Sequence, residues 1–219
     1  MWQAGGTLVP YNYLFHPSAL RHTTEDAGVQ WIITTAADVP RLKEALAGLP
    51  AADRLVSLEP ADGTAATWAE VMQCVSDDDT TPRLDTDDAI LMYTSGSTGH
   101  PKGVRQTHRN STAVAEAAID IWSLTDLDHA LVCTPLFHVG GLQLISLPTL
   151  LAGGQVTLRR WSVREYLDDA VRLRPTFTAL VPAMMIDIIN ELDGTPRPLD
   201  SIRICAIGGS ALRSIDWMR

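Results

Sequence analysis

Cysteine is scarce in this sequence: Cys74, Cys133 and Cys205 are spread over 219 residues with no C-x-x-C spacing. An odd number without a framework excludes a disulfide-stapled secreted module and a cysteine zinc ribbon. It points to a reducing, cytoplasmic compartment. Basic residues are outnumbered as well, with 17 Lys and Arg against 26 Asp and Glu and a net charge of -9. That balance argues against broad binding to nucleic acid or acidic lipid, while leaving room for a phosphate at one local site. The opening MWQAGG has neither a basic nor an apolar leader region, so no signal peptide is expected.

A continuous hydrophobic span is missing too. Residues 130–158 carry no Asp, Glu, Lys or Arg, but Pro135, His138, Gly140, Gly141, Gln143, Pro148, Gly153 and Gly154 interrupt them. A membrane helix needs about 20 apolar residues in unbroken helix. The run therefore reads as a buried strand, a helix and a second strand, and no integral membrane span is expected. With 46% apolar and 20% charged residues, the composition is that of an ordinary globular protein.

What the sequence does contain is alternation. WIITT (31–35) and RLVSL (54–58) read as strands. Between them, Val39, Leu42, Ala45, Leu46 and Leu49 fall on one helical face. A short helix at WAEVMQCV precedes SDDDTTPRLDTDD, too polar to bury a face and therefore a solvated connector. Beyond it, strands are expected at AILMYTS, HALVCTP, QVTLRR, TFTALVP and SIRICAIGG. Helices are expected at 109–124, 141–154, 162–174 and 183–192, with one more beginning after Gly209. Ser162 is a candidate N-cap, and Val163, Tyr166, Leu167, Ala170 and Val171 form a stripe behind it. This order predicts an α/β protein with mainly parallel sheets covered by helices. The expected divisions are a first α/β segment over 1–76, an acidic linker over 77–88 and a second α/β segment over 89–219. In such folds ligands sit at the carboxyl ends of strands, so the loops after Tyr93, Pro135, Pro182 and Ile207 are the ones to inspect.

One of those loops is unusual. YTSGSTGHPKGV (93–104) holds four small hydroxyl residues, three glycines, a proline and a lysine. Glycines let a ligand approach the backbone, and successive N–H groups in such a loop form an anion-binding concavity. Hydroxyls and one mobile cation complete the parts of a polyphosphate cradle; a solvated hairpin turn is the alternative. A Walker A loop, and with it a P-loop NTPase, is disfavoured. There the lysine follows glycine and precedes Ser or Thr, whereas Lys102 lies between Pro101 and Gly103. The following GVRQTH alternates like a strand, so the loop is expected at the tip of a hairpin.

YTSGSTGHPKGV closely resembles the phosphate-binding signature of the adenylate-forming superfamily, which includes acyl-CoA synthetases, peptide-synthetase adenylation domains and luciferases. WQAGGTLVPYN, DAGVQWIITT, PLFHVGGLQ, LVPAMMIDII and IRICAIGGSAL resemble further segments of the same large N-terminal domain, in the same order. The resemblance implies ATP-dependent activation of a carboxylic acid to acyl-AMP with Mg2+, then transfer to a thiol, often that of coenzyme A. It implies that Thr94, Ser95, Gly96, Ser97, Thr98, Gly99 and Lys102 hold the ATP phosphates. It places His138 beside the substrate carboxylate as the catalytic candidate, against the ordinary reading of a core histidine. It lines the acyl pocket with Phe137, His138, Gly140, Gly141, Met184, Gly208, Gly209 and Ser210. His100 and His108 receive no such role and read as surface or loop residues.

Amino-acid-activating members carry an Asp in the segment matching FHVGG (137–141), to pair with the α-ammonium. Its absence favours a fatty, short-chain or aryl acid, since a buried unpaired ammonium is costly. The superfamily's later motifs for adenine, ribose and metal, and its C-terminal domain, have no counterpart in these 219 residues, so no metal ligand is assigned. The chain is therefore expected to be a piece of a longer acid–thiol ligase, inactive alone. The alternative is a non-catalytic remnant acting as a scaffold or weak phosphate-binding domain.

Overall fold

The computed structural model describes residues 2, 4–74, 81–94 and 100–210, arranged as two compact units, residues 1–109 and 110–219.

In the first unit, α1 (Pro17–Asp26) starts with proline at its first position, where a missing N–H costs nothing, and the His16 ring accepts from the Ser18 amide. Strand β1 (Ile32–Thr34), helix α2 (Val39–Ala45), β2 (Leu55–Ser57), β3 (Ala66–Thr67) and α3 (Trp68–Gln73) follow. The strands pair in parallel in the order β1-β2-β3, with Ile32 opposite Leu55 and Val56 opposite Ala66. Thr67 and Glu70 form a reciprocal capping box at the start of α3. The stripe expected on α2 is buried at Val39, Leu42, Ala45 and Leu46, packed with Leu20, Ile32 and Leu55. Leu49 is partly buried against the same cluster.

Strands β4 (Asp88–Thr94) and β5 (Lys102–Thr107) pair antiparallel as a hairpin separate from the parallel sheet. A connection as short as residues 95–101 cannot make the crossover a parallel pair needs. The hairpin groups with the first unit, whereas the sequence divides the chain within 77–88. The reason is long-range bonding. The Leu8 amide donates to the Ala89 carbonyl, and the Leu91 amide donates to that of Leu8.

Helix α4 (His108–Trp122) leads into the second unit, followed by β6 (His129–Val132), a π-helical segment (Gly140–Ser146), α5 (Leu147–Leu151), β7 (Gln155–Leu158), α6 (Val163–Leu173), β8 (Phe177–Leu180), α7 (Pro182–Leu192) and β9 (Ile204–Ile207). Four parallel strands run in the order β7-β6-β8-β9. Leu131, Cys133, Tyr166, Leu167, Leu180 and Ile188 pack one core cluster, and Leu124, Ala130, Val132, Ile145 and Phe177 pack another. On α6 the expected stripe is buried at Tyr166, Leu167 and Ala170, but Val171 is exposed. Ser162 occupies the N-cap position in extended backbone, without a side-chain cap bond.

The single helix expected over 141–154 is two elements. Its first part widens into π turns. The Ser146 hydroxyl donates to the Gly141 carbonyl five residues back, and Pro148 lacks the amide that would continue a regular ladder. The helix expected after Gly209 falls on residues 211–219, outside the described residues.

Candidate active site

In the first unit, the hairpin positions the ends of the glycine-rich loop. Thr94 closes β4 and is paired directly with Lys102, which opens β5. The two are thereby held side by side at the mouth of the loop, with both residues exposed. Ser95, Gly96, Ser97, Thr98 and Gly99 lie outside the described residues. Just behind the mouth Tyr93 pairs with Gly103, and a Cβ at Gly103 would stand 3.1 Å from the tyrosine ring and 3.0 Å from Leu91 Cδ1. The glycine after the lysine thus makes room for an aromatic ring lying across the strand. Tyr93 is buried, and its hydroxyl donates to Asp26 Oδ2 at 2.5 Å. Burial, then the Asp26 carboxylate, pushes the phenol well above its ordinary value, so it stays a donor.

Of the two histidines expected at the surface or in a loop, only His100 is exposed. His100 is exposed but in ring contact with His22, at 4.9 Å between centroids. His108 starts α4, and its Nε2 is buried without a hydrogen-bond partner, the ring lying edge-on to Trp2. It is therefore a partly buried residue of the hairpin's base rather than a surface loop residue.

In the second unit, the segment after β6 turns sharply. Its reversal is closed by the His138 amide donating to the Pro135 carbonyl at 3.1 Å, and the His138 carbonyl accepts from the Leu142 amide. Phe137 is buried while His138 is exposed, the two rings tilted against each other at 4.7 Å. Gly141 is required sterically, because a Cβ there would lie 2.5 Å from the Thr134 and Pro135 carbonyl oxygens. Gly140 and Gly208 face open space, with nothing within 4 Å of where a Cβ would stand. Gly209 has φ +91°, a conformation that favours glycine. Thus the close approaches at 141 and the turn at 209 serve the protein's own backbone. Met184 is buried in the core cluster beneath α6 and α7, and Ser210 is exposed just past β9.

A shallow cleft of about 290 Å³ opens at the carboxyl ends of β6 and β7, lined by residues that include Thr134, Pro135, Leu136, Arg159 and Arg160. Sequence reasoning singles out the loop after Pro135 but misses the two arginines on the far side of the cleft. The Thr134 hydroxyl is buried and unpartnered, and Arg159 is bound to Asp169 at 2.5 Å. Burial works against ionisation of Asp169, but Arg159 and Arg172 outweigh it and hold the carboxyl below its usual range. The signal available in the sequence is the adjacent Arg-Arg pair that ends the uncharged run. Among the described residues no three His, Cys, Asp or Glu side chains are placed to hold a metal ion, and no helix is long and apolar enough to cross a membrane.

Comparison with known proteins identifies the fold and the family. The chain is 34% identical over 212 residues to a feruloyl-CoA synthase of Amycolatopsis, covering 95% of this chain and 40% of that protein. It is 29% identical to a sulfoacetate–CoA ligase of Cupriavidus necator, covering 93% of this chain and 39% of the relative. The chain thus spans about 40% of the length of these relatives. Its fold is that of an anthranilate CoA ligase solved with anthranoyl-AMP, with a TM-score of 0.88 at 20% identity over 98% of this chain and 43% of the other. A long-chain-fatty-acid–CoA ligase of Archaeoglobus fulgidus superposes with a TM-score of 0.84 at 22% identity, over 98% and 43%. With residues 1–219 matching the AMP-binding enzyme model, the chain belongs to the AMP-binding enzyme family.

Proposed function

We propose that this chain forms part of an enzyme that activates a carboxylic acid with ATP to an acyl-AMP and then passes the acyl group to coenzyme A. The observation that carries this reading is the hairpin pairing of Thr94 with Lys102, which sets a hydroxyl and a cation at the mouth of the glycine-rich loop. Bringing an anionic carboxylate onto an anionic phosphate needs charge neutralisation and alignment more than covalent help. Lys102 supplies a positive charge for the departing pyrophosphate, and Thr94 a hydroxyl donor. Residues 95–99 are proposed to complete the cradle through their backbone amides. Mg2+ carried by ATP would share the neutralisation.

His138, exposed at the turn after β6, is proposed to meet the substrate carboxylate, with Phe137, Gly140, Gly141, Met184, Gly208, Gly209 and Ser210 contributing to the acyl pocket. The FHVGG segment offers no acid for an ammonium, and the two sequence relatives named above act on feruloyl and sulfoacetate groups by their names. An aryl or short-chain acid is therefore the substrate class to test first. Activity is assigned to the whole enzyme, with the 219 residues alone expected to give no turnover and the protein expected in the cytoplasm.

The test is ATP–pyrophosphate exchange on the longest expressible form with a panel of acids. His138→Ala should lower kcat/KM for every acid, because the carboxylate is common to them all. Gly208→Val, at a position with open space and no positive φ, should change the ranking of acids by size. Exchange absent with every acid, or His138→Ala leaving every rate intact, would overturn the assignment.

A further inference from the structure

Helix α1 reaches the loop mouth from two points. His22 and Asp26 are four residues apart and so share one face of the helix. Asp26 binds Tyr93, the residue before Thr94, on the strand entering the loop. His22 Nε2 lies 3.2 Å from the carbonyl oxygen of Pro101, the residue just before Lys102, which opens the strand leaving it. A carbonyl can only accept, so Nε2 carries the proton. The His22 ring also contacts that of His100 at 4.9 Å and 44°. Pro101 is buried between the exposed His100 and Lys102, so its position sets where the lysine emerges.

We propose that His22 is a positioning residue for Lys102: through the Pro101 carbonyl it fixes the lysine's exit from the strand and so its grip on the ATP phosphates. This rests on the phosphate-binding role proposed above for Lys102. The two strands need separate restraint, because β5 is exposed along most of its length and has little packing of its own. The Asp26 bond holds one arm of the hairpin, and the His22 bond holds the other.

The test compares His22→Phe, which keeps a ring and removes the donor, with His22→Gln, whose terminal amide can donate from a similar place. MgATP binding to the longest expressible form is measured by calorimetry, with Lys102→Ala alone and combined with His22→Phe. His22→Phe should raise Kd about three- to tenfold, the range of one neutral hydrogen bond, and His22→Gln should restore most of the loss. In the Lys102→Ala background His22→Phe should add nothing, because its effect passes through the lysine. Additive losses, or wild-type binding by His22→Phe, would overturn the role of His22 while leaving Lys102 in place. If Lys102→Ala itself binds MgATP normally, the phosphate-binding role falls and this proposal falls with it.

Discussion

The Tyr93 hydroxyl and the Asp26 carboxylate, 67 residues apart in sequence, meet at 2.5 Å and tie the strand entering the glycine-rich loop to the last residue of α1. The same tyrosine ring lies over Gly103 on the opposite strand. One side chain thus fixes both the spacing of the hairpin and its distance from the helix.

Replacing Tyr93 by Phe removes the bond and keeps the ring. The loss should be about 1 kcal/mol in urea unfolding at pH 7, since the exposed Asp26 is rehydrated rather than stranded. The phenol is raised in the folded state, so its contribution is complete below its unfolded pKa of about 10 and is lost as the pH rises beyond it. Wild-type stability should fall faster than that of Tyr93→Phe above pH 10. Parallel curves there would show that the bond does not govern the titration.

The adjacent glycines of the π-helical segment should respond in opposite ways. Gly141→Ala drives a methyl to 2.5 Å from two backbone carbonyls and should cost about 1–3 kcal/mol or more. Gly140→Ala meets nothing within 4 Å and should be neutral, or stabilising by about 0.5–1 kcal/mol through reduced chain entropy. Thermal melting of the two variants checks this, and equal melting temperatures would refute the steric account.

Asp128 is buried where β6 begins and joins three segments. It accepts from the Thr125 amide, from the Thr176 hydroxyl at 2.6 Å and, through its two oxygens, from Arg203 Nη2 at 2.8 and 2.9 Å. Burial opposes its ionisation, but Thr176 and Arg203 outweigh that and hold the carboxyl below the usual range. A depressed folded pKa gives stability that is complete above the unfolded value of about 4 and is lost as the pH falls below it. Asp128→Asn should cost about 1–3 kcal/mol at neutral pH and show a shallower acid-side decline. A variant as stable as wild type at pH 7 would remove Asp128 from the stability of this unit.

Cys74 and Cys133 should separate by reactivity. Cys133 is buried, and burial, then the charge of Asp169, pushes its thiol up to about 11, so almost no thiolate is present at pH 8. Cys74 is exposed. Iodoacetamide should modify Cys74 in the native protein and reach Cys133 only in urea, as read by mass spectrometry. Native labelling of Cys133 at the rate of Cys74 would contradict its burial.

The alternation of apolar strands and striped helices was legible because period and punctuation are local properties. Each described strand except β3 falls within or beside a stretch whose composition announced it. The second strand of the hairpin was legible too, since GVRQTH has strand periodicity directly after a turn-rich run. The grouping of the hairpin with the first unit was not legible. The polar stretch at 77–88 looks like a boundary by composition, yet the bonds of Leu8 to Ala89 and Leu91 and of Asp26 to Tyr93 keep the hairpin with the first unit. The π turns at 140–146 were hidden as well, because they depend on how closely Gly141 approaches the Thr134 and Pro135 carbonyls.

By itself the sequence determined the class of fold, and it supplied the glycines, hydroxyls and single lysine after a buried strand on which the proposed phosphate-binding role rests. Only the tertiary structure decided which residues stand behind that loop. Read in sequence, His22 and Asp26 are ordinary polar residues with no element or role assigned to them. They acquire a position at the loop mouth only because the folded chain brings that face of α1 to Pro101 and Tyr93, through contacts between residues 67 to 79 positions apart.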